Sequence, residues 1–232
     1  MKAVILAGGK GTRLKPYTTV IPKPLVPVGE TAILEILINQ LKKFGIEEID
    51  ICLGHFAEII MAFLGDGSKF GIKINYSVEP TPLGTVAPIK LLKNLPENFL
   101  VMNGDLLTDL NFKELYDTHL KNDSLLTVST YQRNTKIDFG VIETENNSEK
   151  VTGFKEKPEY NFEVSMGVYV MNRKILDFVP DNQPFGFDDL MISLLQKKQN
   201  ISIYRFDGYW LDIGRPDDYE KANSDIEWLQ KG

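Results

Sequence analysis

The sequence predicts an α/β fold in which a Rossmann-like, mostly parallel sheet is flanked by helices. Two observations lead to this class. Short apolar runs typical of buried strands alternate with longer segments whose apolar residues recur at helical spacing. The first apolar run, Ala3 to Leu6, also leads straight into a glycine-rich loop. We therefore expect helices to cover both faces of the sheet, and a ligand to bind where that first strand ends.

The alternation holds over roughly the first half of the chain. Strands are predicted where β-branched and apolar residues cluster, at 2–6, 48–53, 73–78, 99–102 and 125–131. Helices are predicted where apolar residues recur at helical spacing, at 32–45, 57–64, 85–94 and 112–122. Helices between successive strands are what parallel pairing requires.

The pattern changes after residue 135. Three strand-like pieces, 139–144, 151–158 and 164–172, follow one another with turns between them, and predict antiparallel strands or a small β-rich insertion. The chain then returns to a helix at 188–198, strands at 201–206 and 209–213, and a last helix at 216–231. Pro216 suits the first turn of that helix. Since no linker or repeat interrupts the sequence, we expect a single domain spanning residues 1–232.

Composition limits the possible partners. The 232 residues carry a net charge of -6, and an acidic surface disfavours sequence-independent binding to nucleic acid. No apolar run approaches the roughly 18 residues of a membrane helix, and the start does not resemble a signal peptide. The lone Cys52 lies in an apolar run and is expected to be buried and inert. We expect a cytoplasmic protein with no membrane or nucleic-acid partner; a homo-oligomer remains open.

The glycine-rich loop "AGGKGTR", residues 7–13, suits a polyphosphate. Its glycines let backbone N–H groups approach phosphate oxygens, while Arg13 offers a planar, bidentate cation and Lys23 a second charge. The dinucleotide pattern fails because Leu14 occupies its third glycine position. The Walker pattern fails because Gly11 stands where Ser or Thr is needed. A glycine-rich turn with solvated cations is the alternative.

The whole stretch "GGKGTRLKPYT…IPKPLVPV" resembles the signature of the sugar nucleotidyltransferases, also called nucleotide-sugar pyrophosphorylases. Further blocks similar to that family follow in order: "PLGT" at 82–85, "NGD" at 103–105, "FGVIE" at 139–143, "FKEKP" at 154–158, "SMGVYV" at 165–170 and "YWLDIGRPDDY" at 209–219. The resemblance covers essentially the whole chain and is strongest to short forms like mannose-1-phosphate guanylyltransferase. It implies that an NTP and a sugar 1-phosphate are the partners and Mg²⁺ the cofactor.

The resemblance also implies roles for individual residues. The catalytic residues would be Arg13, Lys23 and Asp105, and the metal ligands Asp105 and Asp212. The nucleotide would be bound by Leu6, Ala7, Gly8, Gly9, Gly11, Thr12, Arg13, Glu79, Gly84, Thr85 and Asp105. The sugar phosphate would be bound by Asn103, Gly140, Glu156, Lys157 and Gly167.

The residues themselves make these roles chemically reasonable. Two carboxylates completed by phosphate oxygens and water suit Mg²⁺, which needs few protein ligands. The competing interpretation is structural: Asp105 would cap a turn, and Asp212 would cap a helix or pair with Arg215. On the sugar side, Glu156 can accept hydrogen bonds from hydroxyls, and the ammonium of Lys157 can neutralise a phosphate.

Glu79 bears on which base is bound. In thymidylyl-transferring relatives this position is similar to a glutamine, whereas a glutamate only accepts hydrogen bonds. Guanine presents two adjacent hydrogen-bond donors to a carboxylate and is ranked first, and cytosine, which has one amino group, is ranked second. Thymine and uracil are ranked last, because their carbonyl acceptors would face the negatively charged carboxylate. The alternative is that Glu79 points to solvent and that main-chain groups recognise the base. The family often continues "PLGT" with Ala-Gly, whereas Val86 and Ala87 follow it here.

The expected reaction joins an NTP to a sugar 1-phosphate and releases pyrophosphate, with GTP and mannose 1-phosphate or a heptose 1-phosphate as the first choice. Two alternatives remain. One is a cytidylyl- or thymidylyltransferase acting on another sugar 1-phosphate or a small phosphorylated acceptor. The other is a non-catalytic regulatory subunit that binds nucleotide sugars.

Overall fold

The computed structural model describes residues 1–145 and 148–231. Its strands, in chain order, are β1 Lys2–Ala7, β2 Pro27–Val28, β3 Thr31–Ala32, β4 Glu48–Leu53, β5 Lys73–Val78, β6 Asn98–Asn103, β7 Leu106–Thr108, β8 Leu126–Lys136, β9 Val141–Thr144, β10 Val151–Lys155, β11 Glu159–Asn172, β12 Ile201–Phe206 and β13 Trp210–Asp212. Its α-helices are α1 Ile33–Lys43, α2 Ala57–Leu64, α3 Phe112–Lys121, α4 Phe187–Gln196 and α5 Pro216–Lys231.

The main sheet has seven strands in the order β12-β8-β11-β6-β1-β4-β5. β6, β1, β4 and β5 are parallel neighbours, and β12 is parallel to β8. Only β11 runs the other way, antiparallel to both β6 and β8. The predicted Rossmann-like, mostly parallel sheet is therefore confirmed, with one antiparallel strand in its middle.

Helices cover both faces of this sheet because alternate residues of each strand point to opposite sides. On β1, Ala3 and Ile5 pack with residues of α1, α2 and α3, whereas Val4 packs on the other face with residues of α4. A third, smaller apolar cluster lies outside the sheet and contains Leu14, Val28, Ile33, Leu107, Leu211, Ile213 and Ala222. This third cluster joins the segment after the glycine loop to β7, β13 and α5.

One predicted helix is wrong. Residues 85–94 form only a short 3₁₀ segment, Ala87–Leu91, and not an α-helix. Pro88 lacks the amide hydrogen that a longer helix would use. The amides of Val86 and Ala87 instead donate to the carbonyl of Phe185, at 3.0 and 3.2 Å. These long-range hydrogen bonds tie the segment to the start of α4 and take the place of helical ones.

The predicted β-rich part of the second half has two components. β9 and β10 form a separate two-stranded hairpin. The first residues of β11 and the last residues of β8 continue as a two-stranded ribbon beyond the sheet, from Glu163–Gln132 to Glu159–Lys136. We call the hairpin and this ribbon together the flap, residues 132–163. The second half of β11 is not part of the flap, since it pairs with both β6 and β8 inside the sheet.

Cys52 is buried in β4, as expected, and burial raises the pKa of its thiol to about 12. A thiol with such a pKa is almost fully protonated near neutral pH and is a poor nucleophile. Within the described residues, no helix combines the length and the apolar character needed to cross a bilayer.

Candidate active site

Four parallel strands end side by side at one edge of the sheet. Leu6 of β1 is in register with Cys52 of β4 and Asn103 of β6, and Leu53 of β4 is in register with Val78 of β5. The segments that follow these strands carry the glycine loop, Gly54, Glu79 and Asp105. This carboxyl edge is where an open α/β sheet binds its ligand, and it gathers residues that are up to about 100 positions apart in the sequence.

The glycine loop leaves β1 after Ala7 and contains the predicted nucleotide-binding residues Gly8, Gly9, Gly11, Thr12 and Arg13. Gly11 has a φ of +60°, and a Cβ atom there would lie 2.9 Å from Cβ of Lys23. Its carbonyl accepts a hydrogen bond of 2.8 Å from the hydroxyl of Thr18. Leu14 is fully buried in the third cluster and fixes the end of the loop. The loop is thus held by its underside, while Gly9, Thr12 and Arg13 are exposed to solvent.

Lys23 lies beneath this loop and contacts both predicted metal ligands. Its side chain is 8% exposed, and its ammonium forms a short ion pair with Oδ2 of Asp105 and lies 4.0 Å from Oδ1 of Asp212. The two acids are brought together by the pairing of β7 with β13, in which Asp212 is opposite Leu106. The amide of Ile213 also donates to the carbonyl of Asp105 at 3.1 Å.

Arg13 belongs to the same constellation. A Cβ atom on Gly214 would lie 3.9 Å from its Nη1 atom, which places the guanidinium beside the segment that follows Asp212. The pKa of Asp212 is raised by partial burial and by the negative charge of Asp105, and lowered by Lys23 and Arg13, with a net rise. The two cations therefore do not outweigh the combined effect of burial and the neighbouring acids on the pKa of Asp212.

This arrangement fits a divalent cation. Oδ1 of Asp105 is buried and, among the described residues, has no hydrogen-bond partner. An orphaned carboxylate oxygen beside a second carboxylate suits a hard cation such as Mg²⁺. Nowhere in the described part of the chain do three or more His, Cys, Asp or Glu side chains group as a metal cluster. A cation held here would thus need further oxygen ligands, such as phosphate or water.

Glu79 closes the other end of the same edge. Its Oε2 atom accepts a hydrogen bond of 2.9 Å from the amide of Leu83. Its Oε1 atom lies so close to Gly8 and Gly54 that a Cβ atom would approach it to 3.0 Å and 2.5 Å respectively. The carboxylate is therefore packed between the glycine loop and the end of β4. It does not extend freely into solvent.

The predicted residues Gly84 and Thr85 make their contacts with the start of α4. Gly84 has a φ of +84°, and a Cβ atom there would lie 2.9 Å from the carbonyl oxygen of Phe185. The hydroxyl of Thr85 accepts a hydrogen bond of 2.9 Å from the amide of Phe187. These contacts hold the "PLGT" segment in place beside Glu79.

Asn103 and Gly167, two of the residues predicted to bind the sugar phosphate, lie against each other. Gly167 has a φ of +75°, and a Cβ atom there would lie 2.6 Å from Nδ2 of Asn103, so only glycine fits. It occupies the irregular part of β11 between Ser165 and Tyr169. The indole N–H of Trp210 donates to the carbonyl of Met166 at 3.0 Å. Asn103 at the end of β6 and Trp210 in β13 therefore both fix the position of the segment around Gly167.

Gly140, Glu156 and Lys157 lie on the flap. A Cβ atom on Gly140 would lie 2.6 Å from the ring of Phe154 and 3.4 Å from Oε2 of Glu156, so these residues share one face. Lys157 is exposed and has a φ of +43°. Within the described part of the chain, no hydrogen bond or ion pair joins Glu156 or Lys157 to Asp105 or Asp212. The neighbouring Lys155 forms an ion pair with Glu143 at 2.6 Å.

Sequence reasoning missed two contributors. Gly54 provides the space for Glu79, and its only signal is its place after a predicted strand. Asp218 accepts hydrogen bonds from the amides of Gly214 and Arg215, at 3.2 and 2.9 Å, and so caps α5. Its signal is an acid in the first turn of a predicted helix. Because Asp218 takes this capping role, the interpretation of Asp212 as a helix cap is not needed.

A glycine loop, a lysine held between two acids, and a glutamate packed against that loop, all at one edge of an α/β sheet, define a nucleotide-binding protein of the nucleotidyltransferase type. The sequence profile of the Nucleotidyl transferase family matches residues 2–228. The chain therefore belongs to this family, and the resemblance seen in the sequence is confirmed.

Several relatives are longer than this chain. It is 31% identical over 94% of its length to a mannose-1-phosphate guanyltransferase of Yarrowia lipolytica, and 31% identical over 96% to a UTP–glucose-1-phosphate uridylyltransferase of Synechocystis. It spans 62% of each of those relatives.

Other relatives match end to end. The chain is 34% identical to a D-glycero-α-D-manno-heptose 1-phosphate guanylyltransferase of Aneurinibacillus thermoaerophilus, covering 98% of itself and 99% of that protein. Among solved structures, HddC from Yersinia pseudotuberculosis, complexed with GMP-PN, superposes with a TM-score of 0.74 at 28% identity. That match covers 97% of this chain and 99% of the other.

Proposed function

We propose that the protein is a sugar-1-phosphate nucleotidylyltransferase that makes an NDP-sugar and pyrophosphate from an NTP and a sugar 1-phosphate. The observation that carries this proposal is the gathering of Arg13, Lys23, Asp105 and Asp212 at the carboxyl edge of the sheet, directly beside the glycine loop. Such a mixture of cations and carboxylates suits a crowded group of phosphate oxygens and the metal that accompanies them.

In the proposed reaction, a phosphate oxygen of the sugar 1-phosphate attacks the α-phosphorus of the NTP. The new P–O bond forms as the bond between the α-phosphorus and the bridging oxygen breaks, and pyrophosphate leaves with that oxygen. No protein nucleophile is needed, so catalysis consists of positioning and charge neutralisation. Backbone amides of the glycine loop hold the triphosphate, and Arg13 neutralises the β- and γ-phosphates and the departing pyrophosphate.

The remaining charged residues orient the two phosphates. Asp105 and Asp212 would hold Mg²⁺, which when bound supplies Lewis-acid stabilisation of phosphate charge. Lys23 is placed to reach a phosphate oxygen near these acids. We assign Glu156 to the sugar hydroxyls, Lys157 to the sugar phosphate, and Asn103, Gly140 and Gly167 to the wall of the sugar site. The flap carries three of these five residues.

For the base, we propose guanine. Glu79 is fixed at the carboxyl edge, and a carboxylate held there is matched by the adjacent N1–H and N2–H₂ donors of guanine. A relative that matches end to end is named as a guanylyltransferase, and the superposed HddC structure is complexed with GMP-PN. For the acceptor, we propose a manno-configured sugar 1-phosphate, mannose or a heptose, since two of the three sequence relatives above are named for such sugars.

The test is a matrix of assays. The protein is incubated with Mg²⁺, each of GTP, CTP, UTP, dTTP and ATP, and a panel of sugar 1-phosphates that includes mannose, heptose and glucose. Pyrophosphate release is measured and the NDP-sugar identified by mass spectrometry. We expect GTP with a manno-configured acceptor to give the highest kcat/KM. A preference for UTP with glucose 1-phosphate would place the chain with its uridylyltransferase relative and refute the role given to Glu79.

A matched variant isolates the base contact. Glu79→Gln preserves size and can still accept from Leu83, but replaces one acceptor by an amide donor. We expect kcat/KM for GTP to fall by about 10- to 100-fold, since hydrogen bonds to charged groups contribute about 1.5–3 kcal/mol. We expect kcat/KM for dTTP and UTP to rise or stay unchanged.

If the wild-type protein binds GDP-mannose but shows no turnover with any substrate pair, that result would favour the alternative of a regulatory subunit.

A further inference from the structure

The ammonium of Lys23 lies where a cation shared by two carboxylates would lie. It forms an ion pair with Asp105 and is 4.0 Å from Asp212, and its side chain is 8% exposed. These are the two acids to which the proposed function assigns the metal. A lysine in this position satisfies the same negative charges that a divalent cation would.

The stem of Lys23 is also part of the nucleotide loop's support. A Cβ atom on Gly11 would lie 2.9 Å from Cβ of Lys23 and 3.5 Å from Cδ of Lys23. Lys23 follows Pro22 at the start of a 3₁₀ turn. In this turn the amide of Leu25 donates to the carbonyl of Pro22, and the amide of Val26 donates to the carbonyl of Lys23. The backbone of Lys23 is therefore fixed, while its four-carbon side chain can redirect the ammonium from the carboxylates toward a phosphate above the loop.

The carboxylates of Asp105 and Asp212 can still accept further ligands although Lys23 lies beside them. Oδ1 of Asp105 is buried, and the described residues offer it no hydrogen-bond partner. The Asp212 side chain is 46% exposed, so it is open to an entering ion. One ammonium thus occupies the gap between two acids without satisfying both, and its positive charge opposes a second cation at the same place.

We propose that Lys23 occupies the cation position in the nucleotide-free protein, so that a divalent cation binds tightly only together with a nucleotide. The triphosphate draws the ammonium of Lys23 away from Asp105, and the carboxylates are then available to the metal. Metal affinity and nucleotide affinity are coupled through this one side chain, and by linkage the coupling is reciprocal. This inference rests on the proposed function only in that it takes Asp105 and Asp212 as the metal ligands.

The experiment measures Mn²⁺ binding directly, by electron paramagnetic resonance of free Mn²⁺ and by calorimetry, with no sugar phosphate present so that no turnover occurs. Wild type and Lys23→Met are titrated with and without GTP. Without nucleotide, we expect wild type to bind Mn²⁺ weakly and Lys23→Met to bind it about tenfold or more tightly, because one opposing charge is gone. GTP should tighten Mn²⁺ binding much more in wild type than in the variant.

Two further variants make the result specific. Lys42→Met removes the same charge from α1, where the ammonium donates to the carbonyl of Phe70, and should leave Mn²⁺ affinity at the wild-type value. Lys23→Met combined with Asp105→Asn should lose the gain. A gain that persists in the double variant, or that Lys42→Met shares, would show that the pair of acids is not the site, and would overturn the inference.

The wild-type protein alone also decides the matter if Lys23→Met does not fold. Nucleotide-free wild type that binds Mn²⁺ as tightly as it does with GTP would refute the inference without any variant. Failure of the proposed function is a separate result. A protein that shows the expected Mn²⁺ behaviour but releases pyrophosphate with no substrate pair would keep this coupling and lose the proposed reaction.

Discussion

Replacing Gly54 by alanine tests how tightly the carboxylate of Glu79 is packed at the carboxyl edge of the sheet. Gly54 follows β4, and a Cβ atom there would lie 2.5 Å from Oε1 of Glu79 and 2.9 Å from the carbonyl oxygen of Gly8. Both separations are shorter than Cβ atoms tolerate, so one neighbour must move. The carbonyl of Gly8 is restrained by the amide of His55, which donates to it at 3.3 Å. Rotation of the Glu79 side chain is therefore the easier relief.

The size of the effect follows from the contact that this rotation breaks. Glu79 would lose its 2.9 Å hydrogen bond from the amide of Leu83. Hydrogen bonds to charged groups contribute about 1.5–3 kcal/mol, and the loss of a glycine returns about 0.4–1 kcal/mol through the unfolded state. We expect the free energy of unfolding to fall by roughly 1–2 kcal/mol, which lowers Tm by about 2–8 °C for a domain of this size.

The same displacement should weaken nucleotide binding selectively. We expect KM for the preferred NTP to rise by about tenfold, as the loss of about 1.4 kcal/mol of binding would give, with KM for the sugar phosphate unchanged. Melting curves and steady-state pyrophosphate release provide the two readings. Gly9→Ala is the control for stability, because a Cβ atom on Gly9 meets nothing within 4 Å. Unchanged Tm and unchanged nucleotide KM in Gly54→Ala would refute the packing of Glu79 described above.

Three other changes give separate tests. Trp210→Phe removes the N–H that donates to Met166 beside Gly167; we expect KM for the sugar phosphate to rise several-fold with KM for the NTP unchanged, and equal changes in both would contradict a positioning role. Asp105→Asn should lower kcat by on the order of 100-fold or more in Mg²⁺-dependent pyrophosphate release, since one preorganised charge is lost, and near-wild-type kcat would exclude Asp105 as a ligand. His119 is buried between Thr127 and Asn98, and burial lowers its pKa below 6.5. The unfolded chain then binds the proton first, so stability should fall as pH drops below about 6.5, by at most about 1.4 kcal/mol per pH unit, and level off below the folded-state pKa. Urea unfolding between pH 8 and pH 5 should show this slope in wild type and a smaller one in His119→Gln; identical slopes would refute it.

Local patterns in the sequence were enough for most of the fold. The strand at 48–53, the helix at 57–64 and the strand at 73–78 have the predicted bounds, because each is a regular apolar pattern closed by a glycine or a turn. The segment at 85–94 has a helical pattern as well, yet its backbone amides bond to Phe185, about 100 residues away. Such long-range hydrogen bonds leave no local trace in the sequence.

The site residues likewise fall into those that local sequence could predict and those that depend on long-range contacts. The glycine loop and its cation Arg13 could be recognised because the chemistry is contiguous along the chain. The contact between Lys23 and Asp105 could not, since it depends on the way β7 and β13 pair beside the loop. The space for Glu79 likewise depends on Gly54, which is adjacent only through the parallel register of β4 and β5.

The fourteen-residue strand β11 has a consequence for how substrate choice can change. Its last residues are paired on both sides inside the sheet, whereas its first residues pair with β8 alone. Under the proposed assignment of Gly140, Glu156 and Lys157 to the sugar, changes between 137 and 158 are expected to alter the acceptor site and leave the glycine loop undisturbed, because the last residues of β11 stay paired inside the sheet. The proposed acceptor residues would then lie on a segment that can change in sequence and length while the sheet edge with its glycine loop keeps its register.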